Sequence, residues 1–232
     1  MLSDNWRFKD RLQAGQKLGE RLLIRSFSSP VILALSKGGV LVADEVARIL
    51  GAPMDFVIVR KIGAPKHEEF IIGAISEDEV PHFDLRLTNI DMITGAEIKA
   101  VIKLQTEELR RRIAYYRGGR ELPDLERKTV ILIDDGLATG VSAAAVGAFL
   151  RTYSPKELIL AVPVCPQEIS SEVGDGYDGI ICLQSPSHFQ AVGSWYEHFH
   201  RVEDDEVRQI LNRHHLNATI PHDHLSSNST EI

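Results

Sequence analysis

Residues 129–143 read TVILIDDGLATGVSA, and no other stretch restricts the fold of this chain as much. The run Val130-Ile131-Leu132-Ile133 is too short for an independent helix, is rich in β-branched residues and does not alternate with polar ones. That is the pattern of a strand buried on both faces of a parallel sheet. Asp134 and Asp135 fall where the strand must end. Gly136, Thr139, Gly140 and Ser142 make a small-residue turn, and Ala143 to Leu150 supplies helix formers behind it. A strand that runs into two carboxylates, a turn and a helix is a unit of an open α/β sheet, with its polar chemistry at the strand's carboxyl end.

Small residues let a backbone approach a ligand closely. The free N–H groups at a helix start, joined by the hydroxyls of Thr139 and Ser142, form a concave set of donors suited to a phosphate. The two carboxylates just upstream would repel that phosphate, so they face a neutral polyol or a metal held by one. A sugar phosphate meets both demands. A Walker phosphate loop is excluded because no Lys follows the glycines, and a dinucleotide fingerprint requires glycines that this turn lacks.

The rest of the chain repeats the alternation. Phe8 to Ile24 carries Phe8, Leu12, Leu18, Leu22 and Leu23 among charged residues, which predicts a helix with one apolar face. Ser28-Ser29-Pro30 breaks it, Val31 to Leu35 is the next buried strand, and Ser36-Lys37-Gly38-Gly39 forms a glycine turn ahead of a helix over Val40 to Leu50. Met54 to Val59 predicts a third strand, ending in Arg60 and Lys61. Ile62 to Phe70, with Gly63, Pro65, Lys66 and His67, reads as a mobile loop, returned to the body by a strand over Ile71 to Ile75, and Glu77-Asp78-Glu79 as an exposed turn. Gly95 to Tyr116 gives the longest helix, with Ile98, Ile102, Gln105, Leu109 and Ile113 at three- and four-residue steps. Within it Arg110-Arg111-Arg112 read as a solvated basic face. Glu157 to Val164 and Asp178 to Gln184 complete five strands, with a short helix between them over Pro166 to Val173. Val207, Ile210 and Leu211 mark a last short helix behind the Asp204-Asp205 cap. The expectation is an α/β fold built on an open, mostly parallel five-stranded sheet flanked by helices.

Composition narrows the function. The 232 residues suit one compact domain, and a formal net charge of -7 argues against non-specific nucleic-acid binding, which needs clustered Lys and Arg. No apolar run approaches the roughly 20 residues that span a bilayer. The polar N-terminus, with Asp4 and Trp6, does not resemble a secretory leader, so a cytoplasmic protein without a membrane partner is expected. Cys165 and Cys182 lie in apolar contexts without further ligands and read as buried free thiols rather than a zinc site. His214, His215, His222 and His224 punctuate a polar end, of which residues 217–232 are expected to be a flexible tail.

The strand, Asp134-Asp135, three further residues and Thr139-Gly140-Val141-Ser142 together resemble the signature of the type I phosphoribosyltransferases. The layout from roughly Phe8 to Leu211 is similar to uncharacterised bacterial phosphoribosyltransferase-like proteins. The resemblance implies that Asp134 and Asp135 hold the ribose hydroxyls of phosphoribosyl pyrophosphate (PRPP). It implies that Gly136, Leu137, Ala138, Thr139, Gly140, Val141 and Ser142 form the loop for the 5-phosphate. Ser36, Lys37, Gly38 and Gly39, with Arg60, would hold the pyrophosphate, with a cis peptide between Ser36 and Lys37. A lid over about residues 61–75 would bring Lys61, Lys66 and His67 to the leaving group, against the plainer reading of a solvated loop. Mg2+ is implied as carried by PRPP, with no direct protein ligands.

The same resemblance implies a single domain over residues 1–216, with a small hood from 1–29 and 185–216; a homo-oligomer is an open option. Phe189, Trp195 and Tyr196 are candidates to stack on a planar acceptor, although core packing is the commoner use of such aromatics. One departure stands out: many members have an apolar residue directly after the two acids and a Thr-Thr-Gly loop, whereas Gly136 and Ala138 occupy those places here. The expected reaction moves the ribosyl 5-phosphate group of PRPP to a nitrogenous base that the sequence does not identify, with release of pyrophosphate. The rival reading is a non-catalytic regulator that senses PRPP or a nucleotide with the same pocket.

Overall fold

The computed structural model describes residues 6–84, 94–169, 173 and 176–218. In chain order its elements are α1 (Arg11–Leu23), β1 (Val31–Ala34), α2 (Lys37–Leu50), β2 (Met54–Phe56), β3 (Arg60–Ala64), β4 (His67–Ile75), β5 (Pro81–Phe83), α3 (Gly95–Arg117), β6 (Thr129–Ile133), α4 (Val141–Arg151), β7 (Glu157–Val164), β8 (Gly179–Gln184), a 3-10 turn (Val192–Trp195) and α5 (Asp204–Ala218).

Five strands form one sheet in the order β2-β1-β6-β7-β8, every neighbouring pair parallel. Because side chains alternate along a strand, both faces must be covered. Ile32, Ala34, Ile131, Ile133, Ile159 and Ala161 point to a core completed by Leu18 and Leu22 of α1, Val42 and Val46 of α2, and Val207 and Leu211 of α5. Val31, Leu33, Val130, Leu132, Leu158 and Leu160 point to the opposite core, closed by Val146, Phe149 and Leu150 of α4. The apolar runs without alternation are therefore the central strands, and the five-stranded parallel sheet expected from the sequence is the one observed. Strand order reverses between β1 and β6, and in open sheets a crevice opens there outside the carboxyl ends of the strands.

Local expectations needed correction in several places. Leu12 and Leu23 of α1 face outward, and the buried face runs instead through Arg11, Ala14, Gly15, Leu18, Gly19 and Leu22. The third strand stops at Phe56 rather than Val59. The stretch read as an irregular loop with one returning strand is a second, antiparallel sheet: β3 pairs with β4 from Arg60↔Ile75 to Ala64↔His67, and β4 pairs with β5. The base of this hairpin is fixed by buried Ile62, Ala64, Ala74 and Ile75, whereas its tip, with Lys66 at φ 69°, is exposed. Glu77 is not in an exposed turn. Its carboxylate pairs with buried Arg117 and accepts from the Ile58 N–H at 2.7 Å. The last helix is longer than expected and continues to Ala218. Residues 170–172 of the expected helix over 166–173, and the tail from 219 onward, lie outside the described residues.

Candidate active site

At the switch point β6 delivers Asp134 and Asp135, and β1 delivers Ser36 at the N-cap of α2. Ser36 serves two partners: its hydroxyl accepts from the Gly39 N–H at 2.9 Å and donates to Asp134 Oδ1. The start of α2 approaches the two acids so closely that a Cβ on Gly38 would collide with Asp135 Oδ2. The glycine turn is thus a contact requirement of the acids as well as a cradle of N–H groups. All described peptide bonds are trans, so the cis bond expected between Ser36 and Lys37 is absent.

Both acids are buried, each 8% exposed. Asp134 Oδ1 also accepts the Asp135 N–H at 2.9 Å. Asp135 Oδ2 accepts from Arg11 Nε at 2.8 Å, and the same guanidinium donates to the His200 carbonyl and lies 3.8 Å from the Phe199 ring centroid. Burial raises the pKa of Asp134, and the charge of Asp135 raises it further against the Ser36 hydrogen bond. Burial also raises that of Asp135, opposed by the attraction of Arg11. Two carboxyl groups held side by side at the end of one strand present several acceptor oxygens to the same opening, suited to hydroxyl donors.

These groups open on a cleft of about 670 Å³. Of the residues singled out from the sequence, Asp134, Asp135, Gly136, Leu137, Ala138, Thr139, Gly140, Ser142, Ser36, Lys37, Gly38, Arg60 and Lys61 line it. Gly39 and Val141 sit one residue behind that lining, in the first turns of α2 and α4. Lys37 Nζ is 3.0 Å from Asp204 at the start of α5, and Tyr116 of α3 donates to the same carboxylate at 2.6 Å. Lys66 and His67 are elsewhere: on the exposed hairpin tip, Lys66 pairs with Glu97 at 2.7 Å and His67 lies 3.6 Å from Glu69.

None of the aromatic candidates lines the cleft. Tyr196 is packed in the hood against Phe8 and Phe199, with centroids at 5.5 and 5.1 Å, and its hydroxyl donates to the Asp135 carbonyl at 2.5 Å. Its buried ring is unavailable to stack on an acceptor, a correction to its expected use. Phe189 and Trp195 are half-buried outside the lining, Trp195 in the hood beside Phe8 and Tyr196. Residues 8–9 and 195–198 are stitched together by backbone hydrogen bonds, so the N-terminus and the segment after β8 form one covering layer.

Sequence reasoning missed Arg11, Arg112, Tyr116, Val192, Arg201 and Val202 in the lining. Arg112 could have been found: it shares a stripe with buried Leu109 and Tyr116, three and four residues away. Its neighbours in the arginine run do behave as a solvated face, Arg110 pairing with Glu79 and Arg111 with Glu108. Arg60 donates to Gln105 at 3.0 Å, and burial together with the nearby Arg112 charge lowers its pKa. Arg112 itself pairs with Glu108 at 2.8 Å, yet the wall opposite the acids still gathers Arg60, Lys61 and Arg112 around one opening, electrostatics that suit an anion.

No described cluster brings together three or more His, Cys, Asp and Glu side chains that could hold a metal ion, and no described helix is long and apolar enough to cross a membrane.

An open parallel sheet with acids, a helix N-terminus and cations around its switch-point crevice defines a class of ligand-binding α/β domain. Residues 10–194 match the model of the phosphoribosyl transferase domain, and the chain belongs to that family. Two Mycobacterium tuberculosis proteins, from strains CDC 1551 and H37Rv and provisionally named phosphoribosyl transferases, are each 39% identical to it over 213 residues. The match covers 90% of this chain but 47% of theirs, so the chain spans about half the length of these curated relatives. The crystal structure of TT1426 from Thermus thermophilus is 36% identical and superposes with a TM-score of 0.74, covering 89% of this chain and 98% of that one.

Proposed function

We propose that this protein transfers the ribosyl 5-phosphate group of PRPP to a nitrogenous acceptor and releases pyrophosphate. The observation that carries the reading is the juxtaposition, across one cleft, of the buried Asp134–Asp135 pair, the 136–142 turn and a wall of cations. A molecule with neutral hydroxyls between two phosphate groups matches that order of surfaces.

In this reading the acids accept hydrogen bonds from the ribose hydroxyls, and the 5-phosphate sits on the N–H groups at the start of α4 with Thr139 and Ser142. The pyrophosphate meets the start of α2, Lys37, Arg60, Lys61 and Arg112. As the acceptor nitrogen bonds to C1, the C1–O bond breaks and its electron pair leaves with pyrophosphate. Charge develops on the ring and on the leaving group, and the fixed cations stabilise the latter. Mg2+ carried on the phosphates would supply further neutralisation when bound; Asp134 and Asp135 are the carboxylates of the cleft lining that could face its water shell. Lys66 and His67 could contribute only if the hairpin tip moved, and Lys37 only by leaving Asp204.

The test is pyrophosphate release from PRPP with a panel of purine, pyrimidine and pyridine acceptors. Acceptor-dependent release supports the transferase; saturable PRPP binding with no turnover for any acceptor would instead favour a PRPP or nucleotide sensor. Release without any acceptor would identify a hydrolase.

A further inference from the structure

The chain's two cysteines lie away from the cleft lining, at the far edge of the main sheet. Cys165 follows β7 and is 0% exposed; Cys182 lies in β8, the edge strand, and is half-buried. The segments are locked in register past the last ladder pair, Val164↔Gln184, by the Cys165 N–H donating to the Gln184 carbonyl at 3.1 Å. Across this junction the Cys165 thiol donates to Cys182 Sγ at 2.8 Å, and the Cys182 thiol donates to the Gln184 carbonyl at 2.9 Å. Ser185 Oγ lies 3.7 Å from Cys165 Sγ.

We propose that Cys165 and Cys182 are a reversible dithiol–disulfide site whose oxidant is a low-molecular-weight disulfide. Two thiols merely filling core space have no need to face each other. Here the ladder pairs Cys182 with Val162, yet the chain leaving β7 brings the Cys165 sulfur to within 2.8 Å of that of Cys182, a partly exposed residue beside a wholly enclosed one. That is the arrangement of an attacking and a resolving cysteine. The hydrogen bond from Cys165, with that from Ser185, also lowers the Cys182 pKa against the effect of burial, which favours it as the attacking thiolate.

The exchange balances in two steps. The Cys182 thiolate attacks one sulfur of the small disulfide, forming a mixed disulfide and expelling one small thiolate. The Cys165 thiolate then attacks Cys182 Sγ, forming the internal S–S bond and expelling the second. The protein loses two electrons and two protons, and the small disulfide gains them as two thiols.

The test exposes the full-length, folded chain to oxidised glutathione and follows it by thiol titration, intact mass and non-reducing peptide mapping. The expected result is loss of both titratable thiols, a mass lower by two hydrogens, a Cys165–Cys182 linked peptide and full recovery with reductant. A Cys165→Ser variant with an unchanged circular dichroism spectrum should stop at one glutathione adduct on Cys182. The proposal is overturned if the parent keeps both thiols while its denatured form reacts, or if the parent itself stops at a persistent glutathione adduct.

Discussion

The two walls of the cleft are built on opposite principles. On the acid wall, Asp134, Asp135, Ser36 and Arg11 come from three elements, are largely withdrawn from water and satisfy one another. On the cation wall, Arg60, Lys61 and Arg112 project from the hairpin base and from α3, with more exposure and fewer partners. A change on the acid wall should therefore disturb stability as well as binding, because these buried groups are hydrogen-bonded to one another. A change on the cation wall, where among the described residues Arg60 has only Gln105 and Arg112 only Glu108 as hydrogen-bonded side-chain partners, should be felt more by the ligand than by the fold.

The largest effect should follow from replacing both acids. Asp134→Asn with Asp135→Asn removes the two carboxyl groups proposed to accept from the ribose, worth about 1–3 kcal/mol each, so PRPP turnover should fall roughly 30-fold or more. Unchanged affinity and rate would sink their role at the ribose. Next comes Arg11→Met, which leaves Asp135 buried without its cation and should cost about 3–5 kcal/mol of unfolding free energy in a denaturant titration. A loss below about 1 kcal/mol would show that Asp135 does not depend on Arg11.

The pH dependence sharpens the contrast. Because the Asp134 pKa is raised, the native state keeps a proton that the unfolded chain has released, and stability from this source falls as pH rises above the ordinary carboxylate range. Asp134→Asn should flatten the decline of the ligand-free melting temperature between about pH 5 and pH 8. A parallel decline in variant and parent would assign it to other groups.

Smaller effects lie beyond the acids. Thr139→Val deletes one hydroxyl donor to the proposed 5-phosphate, worth about 1 kcal/mol or about fivefold in affinity for ribose 5-phosphate. Equal affinities would remove Thr139 from that contact. Lys66→Ala should be the mildest, under about 1 kcal/mol in stability because its pair with Glu97 is exposed. If turnover of Lys66→Ala nevertheless fell tenfold, the hairpin tip would have to reach the ligand and the two walls would be less separate than they look.

The same contrast explains what could be read in advance. Val130 to Ile133 announces itself because burial on both faces demands an unbroken apolar run, and the acids and turn follow within a few residues. The hairpin did not, because its exposed stretch from Lys66 to Phe70 carries charge where a buried strand would carry Val or Ile. Arg11 had no local signature at all: its partner is 124 residues away, and a buried Arg looks in sequence like any solvated helix residue. The aromatics after β8 are visible in the sequence without their place, since packing on Phe8 and stacking on a ligand use the same residue types.

Gly136 stands where many relatives of the acid motif carry an apolar side chain. In this fold a Cβ there would lie 2.6 Å from Val192 Cγ1 and 2.9 Å from Val164 Cγ1, so those two side chains already occupy the space. The two positions form a single volume shared between distant parts of the chain. Over evolutionary time they are free to exchange that volume but not to enlarge it: a lineage that gains a methyl group at 136 must shed bulk at 192 or retract the hood. Covariation between these two positions among homologues would record how the covering layer has been refitted to the strand that carries the acids.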